Sequence, residues 1–112
     1  MEKDCVFCKI INGEIPAKRL YEDEKMIIIR DINPKAETHL LLIPKEHYAD
    51  VASLNERTAA DLGQCLLKLR ELQDVLGIGG GFRLIVNKGV RAGQTVFHLH
   101  IHILAGRRIP GF

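Results

Sequence analysis

The sequence predicts an α+β fold, a five-stranded antiparallel sheet with one long helix and a short N-terminal helix. Three observations carry this. Five short strand-like stretches follow one another in hairpin order, with one long helix between the third and fourth, and that segment alone has a sustained helical apolar period. The two last strands follow that helix, so strands and helix are not alternated as in a parallel sheet. At 112 residues the chain is read as one domain, 1–112.

The elements follow in order. Residues 5–12 read as a short helix ending at Asn12-Gly13, and 18–22 with 26–30 as a hairpin. Asp31-Ile32-Asn33-Pro34 reads as a turn, since the residue before proline is pushed out of helical conformation. His39-Leu40-Leu41-Leu42-Ile43 is apolar enough for a central strand. The long helix is expected from Ser53 to Leu76, with Ser53 and Glu56 at capping-box spacing and Asn55 as a competing cap. Ala59, Leu62, Leu66, Leu69, Leu72 and Leu76 would form its apolar stripe, with Cys65 buried beside it and Gly77 as the left-handed stop. Strands at 82–87 and 96–104 complete the sheet, joined by the hairpin loop Lys88–Thr95. The helix is expected to cover one face.

Composition excludes several classes. Hydrophobic residues at 46% and charged residues at 27% suit an ordinary globular domain, and a net charge of +2 with no Lys/Arg run longer than two gives no nucleic-acid footprint. No apolar run is long enough for a membrane helix, and the charged start is unlike a signal peptide. A cytoplasmic location is expected. Three cysteines, an odd count, argue against a disulfide framework and for metal binding or burial.

The last strand holds the strongest functional signal. Alternation along a strand sends His98, His100 and His102 to one face, about 7 Å apart, and Phe97, Leu99, Ile101 and Ile103 to the other, under the helix. The histidine face should then be accessible. Three readings apply: a polar strand face, metal chelation by histidines at i and i+2, or chemistry on phosphorus with an imidazole nucleophile. Gly93-Gln94-Thr95, just before the strand, offers backbone N–H groups, an amide and a hydroxyl suited to phosphate oxygens, and Asn87 could add a donor. These favour phosphorus chemistry.

The run His98-Leu99-His100-Ile101-His102-Ile103-Leu104 resembles the alternating motif of the histidine triad (HIT) superfamily. So do Cys5–Ile11, Glu14-Ile15-Pro16-Ala17, Asp31-Ile32-Asn33-Pro34, and Thr38-His39 through Ile43-Pro44-Lys45-Glu46-His47. The chain is most similar to the histidine triad nucleotide-binding (HINT) branch, and the resemblance implies that branch's HIT-like fold. It also implies a homodimer that hydrolyses purine nucleoside phosphoramidates and related AMP conjugates. His100 would be the nucleophile, forming a covalent nucleotidyl intermediate. His102 would contact the phosphate and help protonate the leaving group, and His98 and His39 would orient the imidazoles. Asp31 would hold the ribose hydroxyls, although on residues alone it reads as a turn-forming Asx. Val6, Phe7, Ile10, Ile29 and Ile32 would form an apolar slot for the base, where plain core membership is the alternative for Phe7, Ile10 and Ile29. Asn87, Gly93, Gln94 and Thr95 would hold the phosphate and the leaving group; Thr95 stands where members often have Ser.

Cys5-Val6-Phe7-Cys8 has the spacing of two zinc thiolates, and lacks the βαβ context of a redox pair. The resemblance implies His47 and His98 as the other two ligands of a structural Zn2+, buried free thiols being the alternative. The tail Arg107-Arg108-Ile109-Pro110-Gly111-Phe112 departs from members with a Trp-Pro-Pro-Gly-like end, which bears on leaving-group preference. Competing functions are dinucleoside polyphosphate hydrolysis, a nucleotide-binding regulatory role with little turnover, and a metalloprotein without nucleotide.

Overall fold

The computed structural model describes residues 3–111, so Phe112 of the tail lies outside the described residues. The elements are α1 (Val6–Ile11), β1 (Tyr21–Glu22), β2 (Met26–Arg30), β3 (Thr38–Pro44), α2 (Glu56–Leu72), β4 (Phe82–Ile85) and β5 (Ile101–Ala105). The five strands form one antiparallel sheet in the order β1-β2-β3-β5-β4. The predicted fold class is the observed one. No helix among the described residues is long and apolar enough to cross a membrane.

Both faces of the sheet are covered, because β2 and β3 are apolar at their buried positions, His39 excepted, rather than alternating with polar residues. Met26, Ile28, Leu40, Leu42, Leu99, Ile101 and Ile103 pack under Cys65 and Leu69 of α2. Ile27, Ile29, Leu41 and Ile43 pack under Phe7, Cys8 and Ile10 of α1.

Helix α2 starts later than its sequence suggested. Its N-cap is Asn55, whose side chain accepts the Thr58 N–H at 2.8 Å while the Thr58 hydroxyl accepts the Asn55 N–H at 2.9 Å. Ser53 instead ends a short 3-10 turn, Val51–Ser53, capped by Asp50. Regular helix ends at Leu72, though chain reversal is completed at Gly77, whose φ of 75° needs glycine. The buried stripe also shifts: Thr58, Cys65 and Leu69 face the sheet with Leu62, Leu72 and Leu76 beside them, while Ala59 and Leu66 are exposed. Cys65 is part of the stripe, and its burial pushes the thiol up to about 11.

Strands β4 and β5 are both shorter than expected. β5 pairs with β3 from Leu42↔Ile101 to Thr38↔Ala105, and with β4 from Ile85↔His102 to Phe82↔Ala105. Upstream of Ile101 the chain leaves the ladder: the Leu99 N–H bonds the Tyr48 carbonyl at 2.8 Å, and Gln94 ties the segment to Ala49. His98 and His100 therefore precede the strand. Leu99 still enters the α2 core, but Phe97, expected there, is 47% exposed because the alternation no longer extends to it.

Candidate functional site

The five histidines form two connected groups on the α1 face of the sheet. Sheet register explains the first contacts: Leu41 pairs with His102 and His39 with Leu104, so His39 and His102 are diagonal neighbours on one face. The face is not accessible in the way its polarity suggested. Helix α1 lies over it, leaving His98 at 0% and His100 at 9% exposure, with only His102 half-buried.

Each imidazole has one nitrogen committed to a partner, which decides what the other can do. The Lys35 N–H donates to His39 Nδ1 at 3.0 Å. That nitrogen is thus an acceptor, and the ring proton of neutral His39 sits on Nε2. His39 Nε2 lies 2.9 Å from His102 Nδ1 and 3.3 Å from Asp31 Oδ2. His102 Nδ1 is then an acceptor in its turn, which puts the His102 proton on Nε2. The His100 Nδ1–H donates to the carbonyl of His98 at 2.8 Å, leaving a lone pair on His100 Nε2. His100 and His102 stand with ring centroids 5.0 Å apart. One ring thus offers a lone pair beside another that offers a proton.

Both rings open into a cleft of about 470 Å³. Asp31, Asn33, Lys35 and His39 line one side, Asn87, Gly93 and Thr95 another, and Pro110 of the tail closes it. Asp31 forms the Asx turn, Oδ1 accepting the Asn33 N–H at 2.7 Å, while Oδ2 faces His39 and the side chain lines the cleft. Pro110 is held by the Arg83 guanidinium, which donates to its carbonyl at 2.6 Å. Arg107 anchors the tail further back on Glu37, whose carboxyl is pulled down to about 2 by that guanidinium.

The loop before the triad differs from expectation. A 3-10 turn, Val90–Ala92, sits between Gly89 and Gly93, both at positive φ. It turns the expected donors inward: the Gly93 N–H bonds Val90, and the Gln94 N–H bonds Gly89. The Gln94 side chain is likewise consumed, accepting the Gly89 N–H at 2.8 Å and donating to the Ala49 and Val96 carbonyls. Gln94 braces the loop rather than a phosphate, and Gly93 borders the cleft without a free N–H. Asn87 and Thr95 line the cleft. Of the expected base slot, Phe7 and Ile10 of α1 and Ile29 of β2 are core, Val6 is exposed, and Ile32 is 92% exposed on the turn.

The second group is Cys5, Cys8, His47 and His98, whose ligand atoms lie within 4.8 Å of one another. His98 Nδ1 is 3.4 Å from Cys5 Sγ, 3.6 Å from Cys8 Sγ and 3.1 Å from His47 Nδ1, and Cys8 Sγ is 3.4 Å from His47 Nδ1. Tetrahedral zinc, with its usual bond lengths, needs about 3.5 Å between sulfur and nitrogen ligands and about 3.3 Å between nitrogens. The donor set fits. The far nitrogen agrees, since the His98 Nε2–H donates to the Pro44 carbonyl at 2.7 Å and leaves Nδ1 as a lone pair toward the sulfurs. Asp31, His39 and His102 also lie close enough together to suggest a metal. There the Lys35 N–H occupies His39 Nδ1, so Nε2 is protonated and cannot ligate without breaking that bond. The group of Cys5, Cys8, His47 and His98 suits a metal; Asp31, His39 and His102 suit a proton relay.

A family model for the HIT domain matches residues 12–109. The chain belongs to the HIT family. It is 49% identical over 107 residues to a HIT-like protein of Synechocystis, covering 96% of this chain and 94% of that protein. A HIT family hydrolase from Clostridium thermocellum has the same fold with a TM-score of 0.92 at 49% identity, over 100% of this chain and 98% of that one. A histidine triad protein from Clostridium difficile superposes with a TM-score of 0.92 at 38% identity, over the same shares.

Three site groups escaped the sequence: the Pro44 carbonyl and the Lys35 N–H, which are backbone and carry no residue signature, and Pro110, whose tail had marked only a departure. Burial lowers the pKa of His98 to about 4 against the Pro44 bond, helped by His47 and His100. Burial also lowers His102, reinforced by charge on His100 and His39, and lowers His39 against the pull of Asp31. An imidazole with a depressed folded pKa is protonated first in the unfolded chain, so acid favours unfolding from the ordinary value of about 6.5 downward. Metal-free protein should therefore show a lower urea midpoint at pH 5.5 than at pH 7.5; a midpoint that rises on acidification would contradict these burial effects.

Proposed function

We propose that this HIT-family chain is a purine nucleoside phosphoramidate hydrolase or nucleotidyl transferase working through a nucleotidyl-histidine on His100. The observation that carries the reading is the His100 Nδ1–H bond to the His98 carbonyl, which leaves the Nε2 lone pair on a ring lining the cleft. His100 Nε2 attacks the α-phosphorus of an AMP conjugate, forming a P–N bond as the bond to the leaving amine breaks. His102 Nε2–H gives its proton to that amine, while the His39 Nε2–H bond to His102 Nδ1 keeps the donating nitrogen of His102 turned to the cleft. Water then attacks phosphorus, gives a proton back to His102 and releases AMP, so one difficult displacement becomes two. Asp31 accepts the ribose hydroxyls, and Asn87 and Thr95 donate to phosphate oxygens. The similarity to the HIT family hydrolase of Clostridium thermocellum supports hydrolysis as the reaction class.

Zinc on Cys5, Cys8, His47 and His98 is part of the proposal, as a structural cross-link between α1 and the triad segment. Two copies pairing through α2 and β4 are proposed as well: β4 is a sheet edge, and Leu66, Leu67, Leu84 and Val86 are exposed around it. Three buried cysteines without a disulfide suit the reducing cytoplasm.

AMP release from adenosine 5′-phosphoramidate tests the function. Wild type should release AMP, and His100→Ala should lose about a thousandfold or more in rate while still binding AMP. Equal rates in both proteins, or no release by folded wild type, would refute it, the latter leaving diadenosine polyphosphates to be tried. Metal analysis of protein purified without chelators should give near one zinc per chain, lost in Cys8→Ala; wild type with far less than half a zinc would remove the metal from the account.

A further inference from the structure

We propose that Phe7 is a positioning residue for the His100 nucleophile, and that the metal centre acts on catalysis by holding Phe7 in place. The inference rests on the nucleotidyl-histidine reading above. It departs from the base-slot role that the family resemblance implies for Phe7.

A single hydrogen bond orients the His100 ring, from Nδ1 to the His98 carbonyl. One bond leaves the ring free to pivot about its own axis. Two neighbouring rings restrict the pivot. The Phe7 ring meets His100 edge-on, with centroids 4.9 Å apart and planes at 76°, and the His102 ring also meets it, at 5.0 Å and 64°. Phe7 itself is 7% exposed and packs in the α1 core, so its ring lies against imidazole rather than in the open cleft. It also touches the His98 ring at 5.9 Å, near perpendicular.

The sequence places this phenyl ring between the two cysteines. Cys5 is the N-cap of α1, its sulfur accepting the Cys8 N–H at 3.3 Å, and Phe7 lies in the turn so closed. The same two sulfurs face His98 Nδ1. A helix of six residues has little stability of its own. Its register over His100 therefore depends on what its first turn is tied to. A metal bound to Cys5, Cys8, His47 and His98 would tie that turn to the segment carrying the nucleophile. It would set His100 by two routes, through the His98 carbonyl and through Phe7. No proton or electron moves in either route; both act on where a lone pair points.

The test uses the full chain, adenosine 5′-phosphoramidate and zinc, with Phe7→Leu as the variant that keeps an apolar side chain. Kinetics and the ring carbon-proton NMR signal of His100, assigned by its loss in His100→Ala, are read together. With positioning, Phe7→Leu lowers kcat about ten- to a hundredfold, as a misplaced attacking atom does, with KM within about twofold and zinc retained. Its His100 signal broadens or doubles. Removing zinc from wild type should broaden the same signal while the far-UV circular dichroism is kept. A rise in KM at unchanged kcat would overturn the proposal in favour of a base contact, and so would an unchanged His100 signal in both Phe7→Leu and metal-free wild type. If wild type releases no AMP, the functional reading fails by itself, and the NMR comparison alone decides whether Phe7 and the metal position His100.

Discussion

Three backbone groups decide the chemistry of four imidazoles. The Pro44 carbonyl takes the proton side of His98, the His98 carbonyl takes the proton side of His100, and the Lys35 N–H takes the lone-pair side of His39. Everything else in the site inherits from these. A histidine that donates backward faces forward with a lone pair, suited to a metal or to phosphorus. A histidine that accepts backward faces forward with a proton, and here passes that polarity to His102. The alternation of acceptor and donor rings across the cleft is thus a property of the main chain.

The main chain holds those groups still because both faces of the sheet are buried. Helix α2 packs one face; α1, only six residues long, packs the other and closes over His98 and His100. Burial lowers the pKa of three of the histidines and keeps them neutral, the form in which donor and acceptor nitrogens differ. A charged imidazole donates from both nitrogens and would break the Lys35 N–H bond to His39. Packing and protonation therefore support one another, and the half-buried edge of His102 is where the arrangement meets solvent.

Much of this was legible in the residues. Period-two apolar spacing placed Leu99, Ile101 and Ile103 in the core and the three histidines opposite, and the structure agrees although only His102 lies within β5. The CxxC spacing brought Cys5 and Cys8 to one point, with His47 and His98 where the resemblance put them. The errors have physical causes. Ser53 loses the cap to Asn55, because a side chain three residues from a good partner says nothing of where the backbone begins to coil. Gln94 has the chemistry of a phosphate donor, but the loop between Gly89 and Gly93 needs a brace and uses it. Phe97 follows strand alternation only if the strand reaches it, and the bond from Leu99 to Tyr48 ends the ladder first. The accessible histidine face was misjudged because a six-residue helix is too short to announce the surface it covers.

The imidazole tautomers are the most direct point of attack, and long-range 15N NMR of the histidine side chains near pH 7.5 reads them without substrate. The backbone bonds require His39, His98 and His102 to carry their proton on Nε2, and His100 to carry it on Nδ1 alone. One odd ring among four, at His100, would establish the nucleophile's lone pair where the cleft can use it. A His100 protonated on Nε2, or a His102 protonated on Nδ1, would mean that the main chain does not set the polarity of the site, and the proposed order of attack and proton transfer would fall with it.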